Sequence, residues 1–163
     1  MPTVPRRILA CEQDEHGDWV AQLDCGHRRH VRHRPPLSSY AWVEHAQGRA
    51  EHVGREIECG RCLTREWPAG FEPYKSTKVF DHETTPAGLL ADHRTRPGVW
   101  GRLEVLEGAL ALCFVAPLDE RVELRAGEVA AIPPELAHHV ELDGPVRFRV
   151  EFCRRGDEGE QPG

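Results

Sequence analysis

Two short stretches constrain this chain more than anything else in it. One is "LDCGHRRHVRHRPP" at residues 23–36; the other is "IECGRC" at residues 57–62. Cys59-x-x-Cys62 is a knuckle that can aim two thiolates at one ion. Cys25 lies 34 residues upstream of Cys59, and Gly26 and His27 follow it directly. Cys25-x-His27 can therefore supply two more donors from a single turn. Three thiolates and one imidazole are a ligand set for tetrahedral zinc. The predicted site is Cys25, His27, Cys59 and Cys62, with His30 and His33 as alternative nitrogen donors. A unit of about 70 residues buries little apolar core, so a structural metal would help to hold it. The competing redox reading needs a helix N-terminus behind the C-x-x-C to activate a thiol. "CGRCLTREWP" offers only a short run before Pro68, so that reading comes second.

Charge limits the partners. The formal net charge is −6. Lys plus Arg balance Asp plus Glu at 10 and 10 over residues 1–70, against 11 and 17 over residues 71–163. A general grip on nucleic acid is not favoured by that balance. Arg28, Arg29, Arg32 and Arg34 would have to act locally. No apolar run approaches the roughly 20 residues needed to span a bilayer. The opening "MPTVPRRILACEQDEHGDW" has no uninterrupted apolar segment of the export type. A cytoplasmic location with reduced thiols is therefore expected, which favours metal ligation over disulfides for the six cysteines.

Pro68, Gly70 and Pro73 punctuate the chain near residue 70. Before them, "RRILACEQ" and "DWVAQLDC" read as strands around the turn "DEHGD". "HVRHR" reads as a third strand, and "SYAWVEHAQGRAEHVG" as a short helix ending near Gly54. After them, short apolar runs alternate with turns and no helical stripe appears. The spacing predicts about eight strands in an antiparallel barrel or sandwich. The expected fold class is mainly β: a small zinc-stapled α+β unit at residues 1–68, a β-barrel at 69–155, and a disordered tail at 156–163.

"GEVAAIPPELAHHV" reads G-x5-P-x-E-x2-H and resembles the second cupin motif, with Glu135 in place of the usual glycine. "DHRTRPGVWGRLEVLEG" resembles the first cupin motif reduced to its leading histidine, His93. His93, Glu135 and His138 could together hold a divalent ion, Zn, Fe, Mn or Ni, with open positions. His139 should face the other way by strand alternation. Trp100 is expected to anchor the barrel core or a dimer interface.

Over residues 5–65 or so, the ordered W-V-A, C-G-H-x-x-H-V-R-H-x-P-P and C-x-x-C elements resemble a bacterial family of unknown function, DUF3565. Residues 73–153 resemble the TehB/YeaR-like domain, DUF1971. That resemblance implies a cupin-type barrel and a link to tellurite, other oxyanions or nitrosative stress. It matches His93, Glu135 and His138 to the family's polar cluster. These 163 residues contain no G-x-G turn for a methyltransferase cofactor, so methyl transfer is not expected of them. Three functions follow as expectations: a metal-binding stress-response protein with a small-molecule or oxyanion ligand, a cupin-type dioxygenase or isomerase, and a nucleic-acid adaptor. A homodimer is expected through pairing of "VRFRVEF" and "ALALCFV".

Overall fold

A computed structural model describes residues 2–37 and 39–156. The tail expected at 156–163 lies outside the described residues, apart from Gly156. The first 66 residues build one antiparallel sheet. Strand β1 (Pro5–Gln13) turns at Asp14–Asp18 into β2 (Trp19–Leu23), and β3 (Arg28–His30) follows. A 3-10 turn (Ala41–Glu44) and helix α1 (Ala46–His52) lead to β4 (Glu56–Glu58) and the single turn α2 (Gly60–Leu63). The strand order is β3-β2-β1-β4. The third strand thus starts two residues before "HVRHR", because Arg28–His30 is what reaches Gln22–Val20. The expected helix is present as the 3-10 turn and α1. Beyond it, Gly54 takes a left-handed φ of 90°, a conformation that suits glycine after a helix end.

The rest of the chain forms a curled antiparallel sheet. Its strands are β5 (Phe71–Ser76), β6 (Phe80–Asp81), β7 (Trp100–Phe114), β8 (Glu120–Arg125), β9 (Val129–Ile132) and β10 (His138–Arg155), with a short helix α3 (Ala87–Leu90) after β6. The sequence suggested about eight strands where six occur among the described residues. "GVWGRLEVLEG" and "ALALCFV" are one bent strand, as are "HHVELDG" and "VRFRVEFC". Gly108 explains the continuity of β7. Its φ is 75°, and a Cβ there would collide with the Pro145 carbonyl of the neighbouring bend. Because β7 and β10 bend, each serves several partners: β7 pairs with β9 early and β8 late, and β10 pairs with β6 and β5 as well as β7.

Both strands are therefore interior to the sheet, and the pairing edge on which the homodimer expectation rested is already used. The path of the sheet ends on β5 and β8, and the "ERVELR" of β8 alternates charge along the strand, a sequence that discourages edge-to-edge pairing.

Two apolar cores result. The barrel core packs Leu103, Val105, Leu112, Ile132, Phe148 and their neighbours. The second core joins Val4, Ile8, Leu23, Val31 and Val43 to the buried Cys25, Cys59 and Cys62. It also contains Trp100, Leu136 and Cys153, which come from the barrel strands and loop. Trp100 thus belongs to the core of the N-terminal sheet rather than that of the barrel. No helix among the described residues is long and apolar enough to cross a membrane.

Candidate metal centre

Cys25 and His27 sit on the turn between β2 and β3. Gly26 makes that turn possible: its φ is 93°, and a Cβ there would run into the Phe71 ring. Cys59 precedes α2 and Cys62 lies within it, so the knuckle faces the turn. The four side chains converge and are all buried.

The distances test whether an ion fits. With metal–sulfur bonds of about 2.3 Å and a metal–nitrogen bond of about 2.0–2.1 Å, a tetrahedron has S···S edges of about 3.8 Å and S···N edges of about 3.5 Å. Cys25 Sγ and Cys59 Sγ are 3.8 Å apart. His27 Nδ1 lies 3.4, 3.3 and 3.6 Å from the sulfurs of Cys25, Cys59 and Cys62. The four donors fit one tetrahedral ion.

The surroundings orient the donors. His27 Nε2 donates to the Glu66 carbonyl at 2.6 Å, which fixes the ring with Nδ1 toward the sulfurs. Trp100 meets His27 edge-on at 5.5 Å and donates its indole N–H to the Cys25 carbonyl at 2.7 Å. Burial disfavours charge on the His27 ring, but its hydrogen bonds to the Cys59 and Cys62 sulfurs and to the Glu66 carbonyl outweigh it, and its pKa is pushed up to about 10. Close contact of the thiols forces them apart: Cys25 is raised by its bonds to Cys59 and Cys62, and Cys59 is lowered by its bonds to Cys25 and Cys62. Without a metal, the His27 proton balances thiolate charge; a divalent ion would replace that proton and hold more than one thiolate ionised.

Arg6 extends the centre into the barrel. It sits on the inward face of β1 at 3% exposure. Its Nε donates to Cys62 Sγ at 3.4 Å, its Nη2 donates to the Pro134 carbonyl at 2.7 Å, and its Nη1 lies 3.6 Å from Glu135 Oε2. Glu135 is half-exposed, so that last contact counts for little. Nothing in the sequence distinguished Arg6 from the exposed Arg7 beside it except strand alternation with Ile8. Arg6→Met keeps most of the volume and strands a buried carbonyl beside a sulfur that has lost its compensating cation. It is expected to destabilise the fold by about 2–4 kcal/mol and to weaken metal retention by about 10–100-fold. Chelator competition and chemical denaturation would measure the two, and wild-type values for both would refute the role.

His30 and His33, the alternative donors, are engaged elsewhere. His30 Nε2 is 3.0 Å from Asp14 Oδ2, and His33 Nδ1 accepts from the Tyr40 backbone N–H at 3.0 Å. The arginines of the same stretch are engaged too: Arg28 pairs with Glu12, Arg32 with Asp18, and Arg29 donates to the Glu58 carbonyl.

In the barrel, His93 and His138 meet as expected and Glu135 does not join them. A short bridge pairs the two histidine backbones, and their ring centroids are 4.2 Å apart. Glu135 lies in a left-handed turn with φ 62° that sends its carboxylate to Arg6 instead. Three groups of donors among the described residues are close enough to share an ion, and the His93/His138 pair is in none of them. His93 Nδ1 donates to the Ala91 carbonyl and His138 Nδ1 to the Leu136 carbonyl, so each Nε2 is left without a hydrogen bond among the described residues. Both rings line a small cavity of about 130 Å³ walled by Leu89, Leu103, Ile132, Phe148 and Phe152, with Arg94 and Thr95 at its side. Burial there depresses the His138 pKa to about 4, so its ring is neutral at pH 7. His139 points the other way, toward Asp92 and Glu141.

Fold and site define a mainly β protein in which a cupin-like barrel adjoins a sheet carrying a Cys3His cluster able to hold a metal ion. Residues 75–150 match the TehB-like domain model and residues 9–66 match the protein family of unknown function DUF3565; the chain belongs to the family of the YeaR protein. The uncharacterized protein YeaR of Escherichia coli strain K12 is 32% identical over 94 residues, which cover 52% of this chain and 79% of that protein. A crystal structure of an Escherichia coli strain K12 protein superposes with a TM-score of 0.51 at 30% identity, covering 56% of this chain and 97% of that one. The crystal structure of TehB from Haemophilus influenzae aligns at 22% identity with a TM-score of 0.49, over 53% of this chain and 32% of that one.

Proposed function

We propose that this is a cytoplasmic, metal-binding stress-response protein: zinc on Cys25, His27, Cys59 and Cys62 holds the N-terminal sheet against a barrel that takes a small ligand, and no methyl transfer is involved. The observation that carries the ligand reading is the pair of imidazoles, His93 and His138, facing a largely apolar cavity with Arg94 at its side. A neutral His138 with its Nδ1 anchored offers a lone pair rather than a positive charge. Any anionic end of a ligand, such as an oxyanion, would rely on Arg94. The TehB-like match supports a setting of tellurite, oxyanion or nitrosative stress. A reducing compartment suits thiols that share one site. Homodimerisation would use surfaces other than the interior strands β7 and β10. A nucleic-acid role has less support, because the arginines of the "HRRHVRHR" stretch named above are engaged locally.

The test is tolerance in a tellurite-sensitive host carrying an empty vector, the wild-type chain or the His93→Ala, His138→Ala double variant. Wild type is expected to raise tolerance to tellurite or to a nitric-oxide donor, and the double variant is expected to behave like the vector. Wild type equal to vector under both stresses would overturn the stress reading. Wild type and double variant equally protective would remove the cavity from it.

A second reading is favoured by one observation: the anchored Nδ1 atoms leave both Nε2 atoms available to a divalent Zn, Fe, Mn or Ni ion. Such a site would supply Lewis-acid or redox chemistry for a cupin-type dioxygenase or isomerase. The chain's own contribution would be two nitrogen donors and an apolar wall that excludes water. Without Glu135, water or substrate would fill the remaining positions.

A further inference from the structure

The outer face of the barrel carries a cluster that the reading above does not use. Strand register assembles it. Cys113 on β7 stands directly opposite His139 on β10, and on its other side opposite Arg121 on β8. Glu141 lies two residues beyond His139 and so shares its face. Asp92 comes in from the loop before His93. We propose that Cys113, His139 and Glu141 form a second, partly solvent-accessible site for a soft-to-borderline divalent ion of the zinc type, with Asp92 as the residue that orients His139.

Three features support this. The first is orientation. Asp92 Oδ1 is 2.7 Å from His139 Nδ1, which directs the other ring nitrogen to the cluster. A carboxylate behind a histidine is the usual arrangement for a metal-ligating imidazole. The second is spacing. His139 Nε2 is 3.2 Å from Glu141 Oε2, and Cys113 Sγ is 3.3 Å from the same oxygen. Tetrahedral edges for these donor pairs are about 3.4 and 3.5 Å. All three donor atoms lie within 4.8 Å of one another.

The third feature is charge and access. Arg121 donates to Glu141 Oε1 at 2.8 Å and to Cys113 Sγ at 3.5 Å, and it also pairs with Glu123. It can keep Oε1 while Oε2 serves the ion. The ion's two charges and that of Arg121 then offset most of the negative charge of the Cys113 thiolate, Glu141, Asp92 and Glu123. Binding releases the Cys113 proton to solvent. Arg121 and Glu141 also line an open groove of about 290 Å³, so water or a small ligand can take the fourth position. Three protein donors and one open position are the pattern of a reactive rather than a purely structural site.

Cobalt(II) is the probe. The full-length, zinc-loaded protein is titrated with Co²⁺ and followed by elemental analysis and by the thiolate-to-cobalt charge-transfer band. Wild type is expected to take up one ion beyond the Cys25/His27/Cys59/Cys62 centre. Cys113→Ser should lose the new band, and His139→Ala should bind at least tenfold more weakly. Arg121→Gln should bind several-fold more tightly, because it removes the competing cation. The His93→Ala, His138→Ala variant should retain the extra ion, which separates this site from the cavity. No additional ion in either wild type or Arg121→Gln overturns the proposal and leaves an ordinary salt-bridge network. An additional ion that Cys113→Ser retains with its band unchanged also overturns it.

Discussion

Cys62→Ser or Cys59→Ser is expected to abolish metal retention and to remove several kcal/mol of stability. Structural zinc centres of this ligand type contribute about 10–16 kcal/mol of apparent binding free energy at pH 7. A serine hydroxyl is a poor replacement for a thiolate that also accepts a hydrogen bond from buried Arg6. The damage should not stop at the N-terminal sheet, because Cys25, Cys59 and Cys62 share one core with Trp100, Leu136 and Cys153. Hydrogen exchange should rise across β1, β2 and β4, extend into the start of β7, and leave the barrel core around Leu112 and Phe148 protected. A strong chelator should reproduce this pattern in the wild-type chain. Unchanged metal content in both serine variants would sink the structural-metal reading. Metal loss with exchange confined to residues before 70 would show that the two cores are energetically independent.

Replacing Trp100 by alanine is expected to cost about 3–5 kcal/mol, the range for deleting a large buried aromatic side chain. Its exposure is 0%, and it is the barrel residue most deeply inserted in the other core. It packs on His27 and Trp67 with ring centroids 5.5 Å away in each case, and its N–H satisfies the Cys25 carbonyl. The loss therefore combines a cavity with an unsatisfied carbonyl beside a metal ligand. Metal retention should fall together with stability. Phe148→Ala is the control: Phe148 is equally buried in the barrel core, so it should cost a similar amount while the protein, where folded, keeps its metal. Denaturant titration combined with metal analysis of the two variants decides the matter. If Trp100→Ala retains metal as Phe148→Ala does, Trp100 is a packing residue only.

The Cys3His cluster was legible in the sequence for a local reason. Cys25 and His27 share one turn, Cys59 and Cys62 share another, and short spacing restricts where each pair can point. The fourth donor was less determined, since His30 and His33 had the same chemistry; it took the register of β2 with β3 to turn His30 toward Asp14 and leave His27 facing the sulfurs. Strand alternation likewise foretold that His138 and His139 face opposite ways, and the apolar runs indicated an antiparallel β fold. The sequence could not indicate that those runs fuse into two long bent strands, because the bends depend on Gly108 meeting the Pro145 carbonyl across the sheet.

Glu135 was misplaced for a similar reason. Its distance from His138 along the chain is short, but a left-handed turn and a buried arginine 129 residues away decide its direction. Cys113, His139 and Glu141 gave no signal as a group, since two strands must pair in one register before they become neighbours. What the sequence determined by itself is whatever a turn or an alternation fixes within a few residues: the thiolate knuckle, the Cys-x-His turn and the faces of single strands. What the tertiary structure decided is which faces meet, because cross-strand register and the sharing of Trp100 between the two parts of the chain depend on burying the most apolar surface at once, and no short window of sequence contains that choice.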